Sequence, residues 1–120
     1  MLAFIPPGDK LPRYTGGVLL LAVALFSVSH GSDALAKPKM HTVIIEAMRF
    51  SPQVVEANIG DTVVWINKDL VVHTATAQNR SFNSSEIAQN RSWKLKVRSK
   101  GVFPYVCTFH PTMKGNLVVK

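Results

Sequence analysis

Residues 58–67 read Asn-Ile-Gly-Asp-Thr-Val-Val-Trp-Ile-Asn, a short turn followed by an apolar run. The first four of these residues are typical of a turn, because Asn, Gly and Asp tolerate the backbone angles that turns require. Residues 62–67 are apolar on both faces of an extended chain, which predicts a strand in the centre of a sheet rather than at its edge. The stretch therefore indicates a β-fold built around one buried strand.

Segments of a similar kind lie on both sides of this strand. Stretches rich in Val, Ile and aromatic residues alternate with turn residues at short spacing, as they do in β-sandwiches and barrels. We predict further strands over residues 42–48, 53–57, 71–77, 92–98, 102–106 and 117–119, with a long connection over 78–90 and a loop over 107–116. Because residues 37–120 lack sustained helical periodicity, we predict an all-β fold, a compact antiparallel β-sandwich with Greek-key connections.

The first 36 residues differ in character from the rest of the chain. Lys10 and Arg13 precede an uncharged apolar run over residues 17–28, GVLLLAVALFSV, and Ala34-Leu35-Ala36 follows. A basic region, a short apolar region and a small-x-small site in this order are typical of a secretory signal peptide. The apolar run is also shorter than the roughly 20 residues that a membrane-spanning helix needs. We therefore predict a signal peptide over residues 1–36.

The remaining residues, 37–120, are predicted to form one exported domain, in the periplasm or an equivalent compartment, without stable insertion in a membrane. The chain has a net charge of +7, and all of it lies in this domain because the two basic and two acidic residues of the leader cancel. Such a positive balance favours anionic partners. Export argues against nucleic acid as a partner, and the domain has neither a basic motif interleaved with aromatic residues nor a recognition-helix pattern.

The segment Tyr-Val-Cys-Thr-Phe-His-Pro-Thr-Met, residues 105–113, concentrates metal-binding side chains directly after a predicted strand. Cys107 is the only cysteine of the chain, and a lone cysteine in an exported protein is free, bonded to another molecule or bound to a metal. Taken singly, Cys107, His110 and Met113 are more often core or surface residues than ligands. Together they offer a thiolate, an imidazole and a thioether, and soft donors of this kind select copper.

A fourth ligand has to come from elsewhere in the chain, and the choice lies between His41 and His73. His41 lies close to the predicted start of the domain, where chains fray, and is predicted to be an ordinary surface residue. His73 follows a turn within an apolar β segment, where a histidine needs a partner. With Cys107, His110 and a weak axial Met113 it completes the donor set of a blue-copper electron-transfer centre. This set leaves no open position for a substrate, which favours electron transfer over catalysis.

Two blocks of the sequence are more specific than the strand pattern. One is Met48-Arg49-Phe50-Ser51-Pro52 followed by Ile-Gly-Asp-Thr-Val-Val-Trp-Ile-Asn over residues 59–67, and the other is the C-x-x-H-x-x-M spacing within residues 105–113. Both blocks resemble the cupredoxins, in particular their small amicyanin-like and plastocyanin-like members. The resemblance implies one copper ion that cycles between Cu(I) and Cu(II), held by the ligands His73, Cys107, His110 and Met113, with Trp65 and Phe50 in the core.

Three residues depart from the pattern of the family. The first ligand histidine is often preceded by Pro and followed by Asn, whereas Val72 and Thr74 stand at these positions here. Phe109 replaces the Pro that often precedes the second histidine in amicyanin-like loops. The departure at Thr74 leaves the side-chain bracing between the two ligand loops open, although a backbone N–H from this residue can still reach the cysteine sulfur.

We predict from these residues an electron carrier, not an enzyme, that works as a monomer with a redox protein partner whose docking surface is acidic. The alternative is a copper-binding module for storage, resistance or delivery. Delivery sites tend to be exposed and rich in Met and His, and residues 37–120 contain only three of each. A copper oxidase needs further histidines for a substrate-binding centre, and the chain has too few of them.

Overall fold

The computed structural model describes residues 36–120 together with Gly8, Gly16 and Gly17. The predicted signal peptide lies outside the described residues apart from these three glycines and Ala36. In the described part of the chain there is no helix long and apolar enough to cross a membrane.

Residues 36–120 form a sandwich of two four-stranded sheets. The strands are β1 (Met40–Glu46), β2 (Arg49–Ser51), β3 (Val54–Ala57), β4 (Thr62–Asn67), β5 (Thr76–Ala77), β6 (Ser92–Lys96), β7 (Gly101–Val106) and β8 (Lys114–Val119). The first sheet has the order β2-β1-β4-β6 and the second has the order β3-β8-β7-β5. The predicted all-β sandwich is confirmed, and the stretch described above as the central strand is β4, which lies between β1 and β6.

Two strand pairings are parallel, so the expectation of a wholly antiparallel sandwich is wrong at these places. β1 pairs with β4 and β3 pairs with β8 in parallel register, while the remaining ladders are antiparallel. The reason lies in the connections, because the chain crosses from one sheet to the other between β2 and β3 and again between β3 and β4. Strands that are neighbours in a sheet are then not consecutive in sequence, and a parallel pair becomes possible.

The strand predicted over 42–48 is in fact a hairpin. β1 ends at Glu46, and Ala47 and Met48 form a tight turn with positive φ angles of 50° and 59° before the chain returns as β2. Two successive left-handed residues suit the twist of a two-residue hairpin loop, and such loops are usually marked by Asn or Gly. Neither residue type stands here, which is why the sequence carries no turn signal at this position.

The strand predicted over 71–77 is also shorter in the structure. Only Thr76 and Ala77 pair with β7, as β5, whereas His73 forms an isolated antiparallel bridge with Ile87. The long connection after β5 thus returns to brace the His73 segment. At the C-terminus β8 begins at Lys114, three residues before the predicted start, so the loop between β7 and β8 is correspondingly shorter.

An aromatic cluster fills part of the core. Neighbouring ring centroids lie between 4.8 and 6.1 Å apart, and the rings are those of Phe50, Trp65, Phe82, Trp93 and Tyr105. Tyr105 lies flat against Gly115 of the neighbouring strand, where a Cβ atom would overlap its ring. Burial raises the pKa of Tyr105 to about 12, so this phenol stays neutral. The packing fixes Tyr105 near the end of β7, and Cys107 follows Tyr105 by two residues.

Candidate metal centre

Three of the sequence-predicted ligands converge at one end of the sandwich. Nδ1 of His73 lies 3.6 Å from Sγ of Cys107, and Nδ1 of His110 lies 3.7 Å from the same sulfur. The ligand atoms of all three residues lie within 4.8 Å of one another. His73 and Cys107 are fully buried, whereas His110 keeps part of its surface exposed.

The spacing of these donor atoms fits a metal ion at their centre. Bond lengths of about 2.0 Å to nitrogen and 2.3 Å to sulfur, as found for a first-row ion in proteins, put the two atoms about 3.7 Å apart across a 120° angle. The observed separations of 3.6 and 3.7 Å match this value. One thiolate and two imidazoles form a donor set suited to copper or zinc, and it offers three ligands in a trigonal arrangement.

The loop between β7 and β8 is closed by its own backbone. Cys107 N–H donates to the carbonyl of Met113 at 3.2 Å, and Met113 N–H donates to the carbonyl of His110 at 2.9 Å. His110 N–H in turn donates to the carbonyl of Cys107 at 3.2 Å. Met113, the fourth predicted ligand, therefore lies at the base of the same small loop, and its side chain is buried.

Thr74 connects the two segments that carry the ligands. Its backbone N–H donates to Sγ of Cys107 at 3.4 Å, as the sequence suggested. Its hydroxyl accepts a hydrogen bond from the backbone N–H of Thr108 at 2.9 Å and lies 3.1 Å from the Thr108 hydroxyl. The side-chain brace that the departure from Asn left open is therefore present, with a threonine pair in the place of an amide.

Asp69 contacts a predicted ligand, although an aspartate in the series Asn-Lys-Asp is by itself typical only of a turn. Its Oδ2 lies 2.8 Å from Nε2 of His73. The same carboxylate accepts hydrogen bonds from the backbone N–H groups of Ala47 at 2.7 Å and Met48 at 3.0 Å. An ionised carboxylate can only accept, so Nε2 carries the ring proton and Nδ1 is left to face the sulfur of Cys107. A carboxylate shortly before a candidate ligand histidine is the signal that could have identified Asp69.

Opposing effects act on the ionisation of Asp69. Burial raises the pKa of this carboxyl, but the hydrogen bonds from Met48, His73 and Ala47 outweigh burial, so that the pKa lies below its ordinary value. Asp69 is therefore an anion at neutral pH. The carboxylate places one negative charge next to the imidazole of His73, on the side away from Cys107.

His41 does not belong to this group. It lies on β1, its side chain is 26% exposed, and its Nε2 lies 2.8 Å from Oδ2 of Asp61. It is therefore not the ordinary surface residue that its position in the sequence predicted, because Asp61 holds it against the start of β4. In the part of the chain that the structure describes, the group of possible metal ligands consists of His73, Cys107 and His110.

Several exposed apolar side chains lie close in the chain to the candidate ligands or to the residues that contact them. They belong to the segments that carry or contact the three donors, and they are Met48, Leu70, Val71 and Phe109. Leu70 is 83% exposed and Phe109, which precedes His110, is 52% exposed. An exposed apolar residue directly before a partly exposed histidine could exclude water on contact with another protein.

A family model described as the cupredoxin-like domain matches residues 17–119 of this chain. Amicyanin-alpha of Methylorubrum extorquens is 28% identical over 115 residues, which cover 92% of this chain and 92% of that protein. Amicyanin of Paracoccus denitrificans is 26% identical over 83 residues, which cover 65% of this chain and 63% of that protein.

Solved structures give the same picture. A Cu(I) form of an amicyanin variant superposes with a TM-score of 0.63 at 26% identity, over 68% of this chain and 82% of that chain. A copper-containing nitrite reductase from Thermus scotoductus superposes with a TM-score of 0.63 at 25% identity, over 67% of this chain but only 22% of the reductase chain.

Proposed function

Because this chain belongs to the family of cupredoxin-like domains, we propose that it is an exported blue-copper protein that carries single electrons between redox partners. The residues that would hold one copper ion are His73, Cys107 and His110, with the thioether of Met113 as a weaker fourth donor. The chemistry that copper supplies is the exchange of one electron between Cu(II) and Cu(I).

One observation supports this proposal above the others, namely the convergence of two imidazoles on a buried thiolate. The sulfur of Cys107 lies 3.6 Å from Nδ1 of His73 and 3.7 Å from Nδ1 of His110. Cys107 and His73 are inaccessible to solvent. The arrangement therefore suits an outer-sphere electron carrier better than an enzyme.

The residues around the donors keep their geometry fixed, which is what fast electron transfer requires. Thr74 and Thr108 hold the two ligand segments together through three contacts between 2.9 and 3.4 Å. The bridge between His73 and Ile87 holds the first ligand from the opposite side, with hydrogen bonds of 2.8 and 3.2 Å. A site braced in this way changes little between oxidation states, and the energy of reorganisation stays small.

His110 is the proposed port for electrons. It is the one of the three converging donors whose side chain reaches the surface, and Phe109 lies exposed directly before it. The apolar side chain of Phe109 beside this histidine favours close approach of a partner without trapped water. The copper-containing nitrite reductase resembles this chain over a minor part of its own length, so its enzymatic activity is not carried over.

The charge of the domain supports an acidic partner. Two of its carboxylates, Asp61 and Asp69, are engaged by backbone N–H groups and histidines, and residues 87–120 contain no acidic residue. Within residues 36–120, a single ion pair joins a Lys or Arg to a carboxylate, namely that of Lys120 with Glu56 at 2.7 Å. The exposed positive charge steers the monomer towards a negative surface. Electron transfer to such a partner should slow as salt rises, and a rate that does not depend on ionic strength would count against it.

We further propose that residues 1–36 are removed on export and that residues 37–120 act in the periplasm. The sequence of basic, apolar and small residues described above supports this boundary. N-terminal sequencing of the protein recovered from the periplasm tests it, and Lys37 is the expected first residue. Recovery of the protein with its apolar segment retained in the membrane fraction would contradict it.

A redox titration of the copper-loaded protein tests the proposed function. We expect one copper ion per chain, an intense absorption in the red from the Cu(II)–thiolate bond, and reversible loss of this band on uptake of one electron. A module for copper storage or delivery would bind copper without the reversible band. That outcome would overturn the proposal while leaving the fold assignment intact.

A further inference from the structure

We propose that Asp69 is a positioning residue of the copper site, which fixes the ring of His73 and stabilises Cu(II) relative to Cu(I) by its negative charge. The inference rests on the proposed function, because it assigns a role towards the copper ion. Asp69 does not contact the metal in this proposal and acts only through His73.

The carboxylate of Asp69 is itself held rigidly. Oδ1 accepts the N–H of Ala47 at 2.7 Å and Oδ2 accepts the N–H of Met48 at 3.0 Å. Both residues have left-handed backbone angles, φ 50° and 59°, so that their successive N–H groups point to one side of the hairpin tip. Successive N–H groups of this kind form a concavity that binds anions. The β1–β2 turn contains no typical turn residue, and its role is to hold the carboxylate of Asp69.

The side chain of Asn67 fixes the loop that carries Asp69. Asn67 is fully buried, and its side chain accepts the N–H of Asp69 at 2.9 Å. The amide nitrogen of Asn67 donates to the carbonyls of Val71 at 2.7 Å and Ile87 at 2.8 Å. Ile87 is also the residue that forms the bridge with His73. The position of the His73 ring is therefore determined at Nε2 by Asp69 and at the backbone by Ile87.

Two consequences for the metal follow from the contact between Asp69 and His73. The hydrogen bond fixes the tautomer of the ring, so that Nδ1 is the free nitrogen, and it makes this nitrogen a stronger donor. The negative charge lies in a poorly solvated place, since the side chains of His73 and Asp69 are 0% and 15% exposed, and salt screens it little. Both effects favour the more highly charged Cu(II) over Cu(I).

The chain contains a matched control in Asp61. This carboxylate accepts the N–H groups of Lys39 at 2.8 Å and Asn58 at 2.9 Å and lies 2.8 Å from Nε2 of His41. Its contacts have the same kinds of donors as those of Asp69. Asp61 precedes β4 and Asp69 follows it, so the two are separated by the length of this strand, about 20 Å at 3.3 Å per residue. Only Asp69 touches a proposed ligand.

The experiment compares Asp69→Asn, Asp69→Glu and Asp61→Asn with the parent protein, all loaded with copper. In Asp69→Asn we expect the affinity for Cu(II) to fall by about 10- to 100-fold, the range found when a group that orients a metal ligand is removed. If the affinity for Cu(I) is unchanged, each factor of ten raises the reduction potential by about 59 mV. Asp69→Glu retains the charge and should stay closer to the parent. Asp61→Asn should leave the potential where it is.

The outcomes separate this inference from the proposed function. A parent protein without the red band would sink the proposed function, whereas a parent with the band and an Asp69→Asn variant of unchanged potential would sink only the role of Asp69. An equal shift in Asp61→Asn would mean that any lost charge has the same effect, and the inference would fail as well. Should Asp69→Asn not fold, NMR of the reduced parent decides, because the Nε2 proton of His73 must then be observed in slow exchange with water, and fast exchange would refute the contact.

Discussion

Two aspartate–histidine pairs flank strand β4, and they differ in whether the histidine ring also faces other possible metal ligands. At the start of the strand Asp61 holds His41, and after its end Asp69 holds His73, with the same distance of 2.8 Å between Oδ2 and Nε2. Each carboxylate also accepts two backbone N–H groups. His41 is 26% exposed and lies outside the group of possible metal ligands, whereas His73 is fully buried and faces the sulfur of Cys107 at 3.6 Å.

The comparison shows that the local chemistry of a histidine does not make it a ligand. Both pairs would be equally good at fixing an imidazole, since both combine an anionic partner with a defined ring orientation. The difference comes from the second sheet, which brings the β7–β8 loop with Cys107 and His110 only to the end of the sandwich where His73 lies. The proposed copper site is therefore a property of how the two sheets pack, and the first ligand is selected by that packing.

The largest effect is expected when the two histidines are replaced in turn by glutamine. The amide of glutamine can still donate a hydrogen bond to the aspartate, so that neither carboxylate is left without a partner. His73→Gln removes a proposed ligand and should weaken copper binding by more than about 100-fold, beyond the range for residues that act through a ligand. His41→Gln should leave the affinity and the absorption spectrum unchanged. Titration with Cu(II) measures both, and equal affinities of the two variants would mean that the distinction between the pairs is wrong.

A smaller effect is expected from Thr74, which links the His73 side of the site to the β7–β8 loop. Thr74→Val keeps the N–H bond to Cys107 but removes the hydroxyl that accepts from Thr108 N–H at 2.9 Å. Thr108 is exposed, so water can take the place of the lost acceptor, and we expect the free energy of unfolding to fall by about 0.5–1.5 kcal/mol, the net contribution of a typical hydrogen bond. The red band should persist. Denaturant unfolding of parent and variant measures the cost, and a variant as stable as the parent would show that this brace contributes nothing.

The smallest effect concerns the pair of Asp61 and His41, which lies outside the proposed copper site, and it appears only at acid pH. Hydrogen bonds from the N–H groups of Lys39 and Asn58, and then from His41, hold the pKa of Asp61 well below its ordinary value. A carboxyl whose pKa is lower in the folded than in the unfolded state stabilises the fold above its unfolded pKa of about 3.9, and this contribution is lost as the pH falls below that value. The parent should therefore lose stability from about pH 5 downwards, and Asp61→Asn should lose less of it over the same interval.

The measurement for this prediction is acid unfolding of the two proteins without copper, followed by circular dichroism. Asp69 also has a lowered pKa and remains in the variant, so the dependence on pH should be reduced and should not vanish. If parent and variant lose stability in the same way as the pH falls, the contacts of Asp61 with Lys39, Asn58 and His41 do not lower the pKa of this carboxyl.

The parts of the molecule that follow from the sequence are those with local determinants. The apolar run of β4 predicts its own burial, and the spacing from Cys107 to Met113 places three donors on one loop by the number of residues alone. The parts that the sequence leaves open depend on distant partners. The turn at Ala47 and Met48 has no turn residue, and it forms where their N–H groups meet the carboxylate of Asp69 more than twenty residues away in the chain.

The same reasoning explains why the side-chain brace made by Thr74 and the contact made by Asp69 do not follow from the sequence. A threonine after a candidate ligand carries no signal until Thr108 is known to lie beside it, and an aspartate in the series Asn-Lys-Asp is typical of a turn. The two parallel pairings have a similar origin, because no local pattern records that the chain changes sheet between β2 and β3. Sequence patterns thus indicate elements and candidate ligands, while the residues that orient the ligands depend on contacts across the sandwich.

The central claim is that the thiolate of Cys107 and the histidine rings held by the two sheets bind one copper ion. The most direct test is the visible absorption spectrum of the Cu(II)-loaded Cys107→Ser variant beside that of the parent. We expect an intense red band in the parent and its complete loss in the variant, even where copper remains bound to His73 and His110, because serine offers no thiolate to the metal. An intense red band that persists in Cys107→Ser would contradict the account.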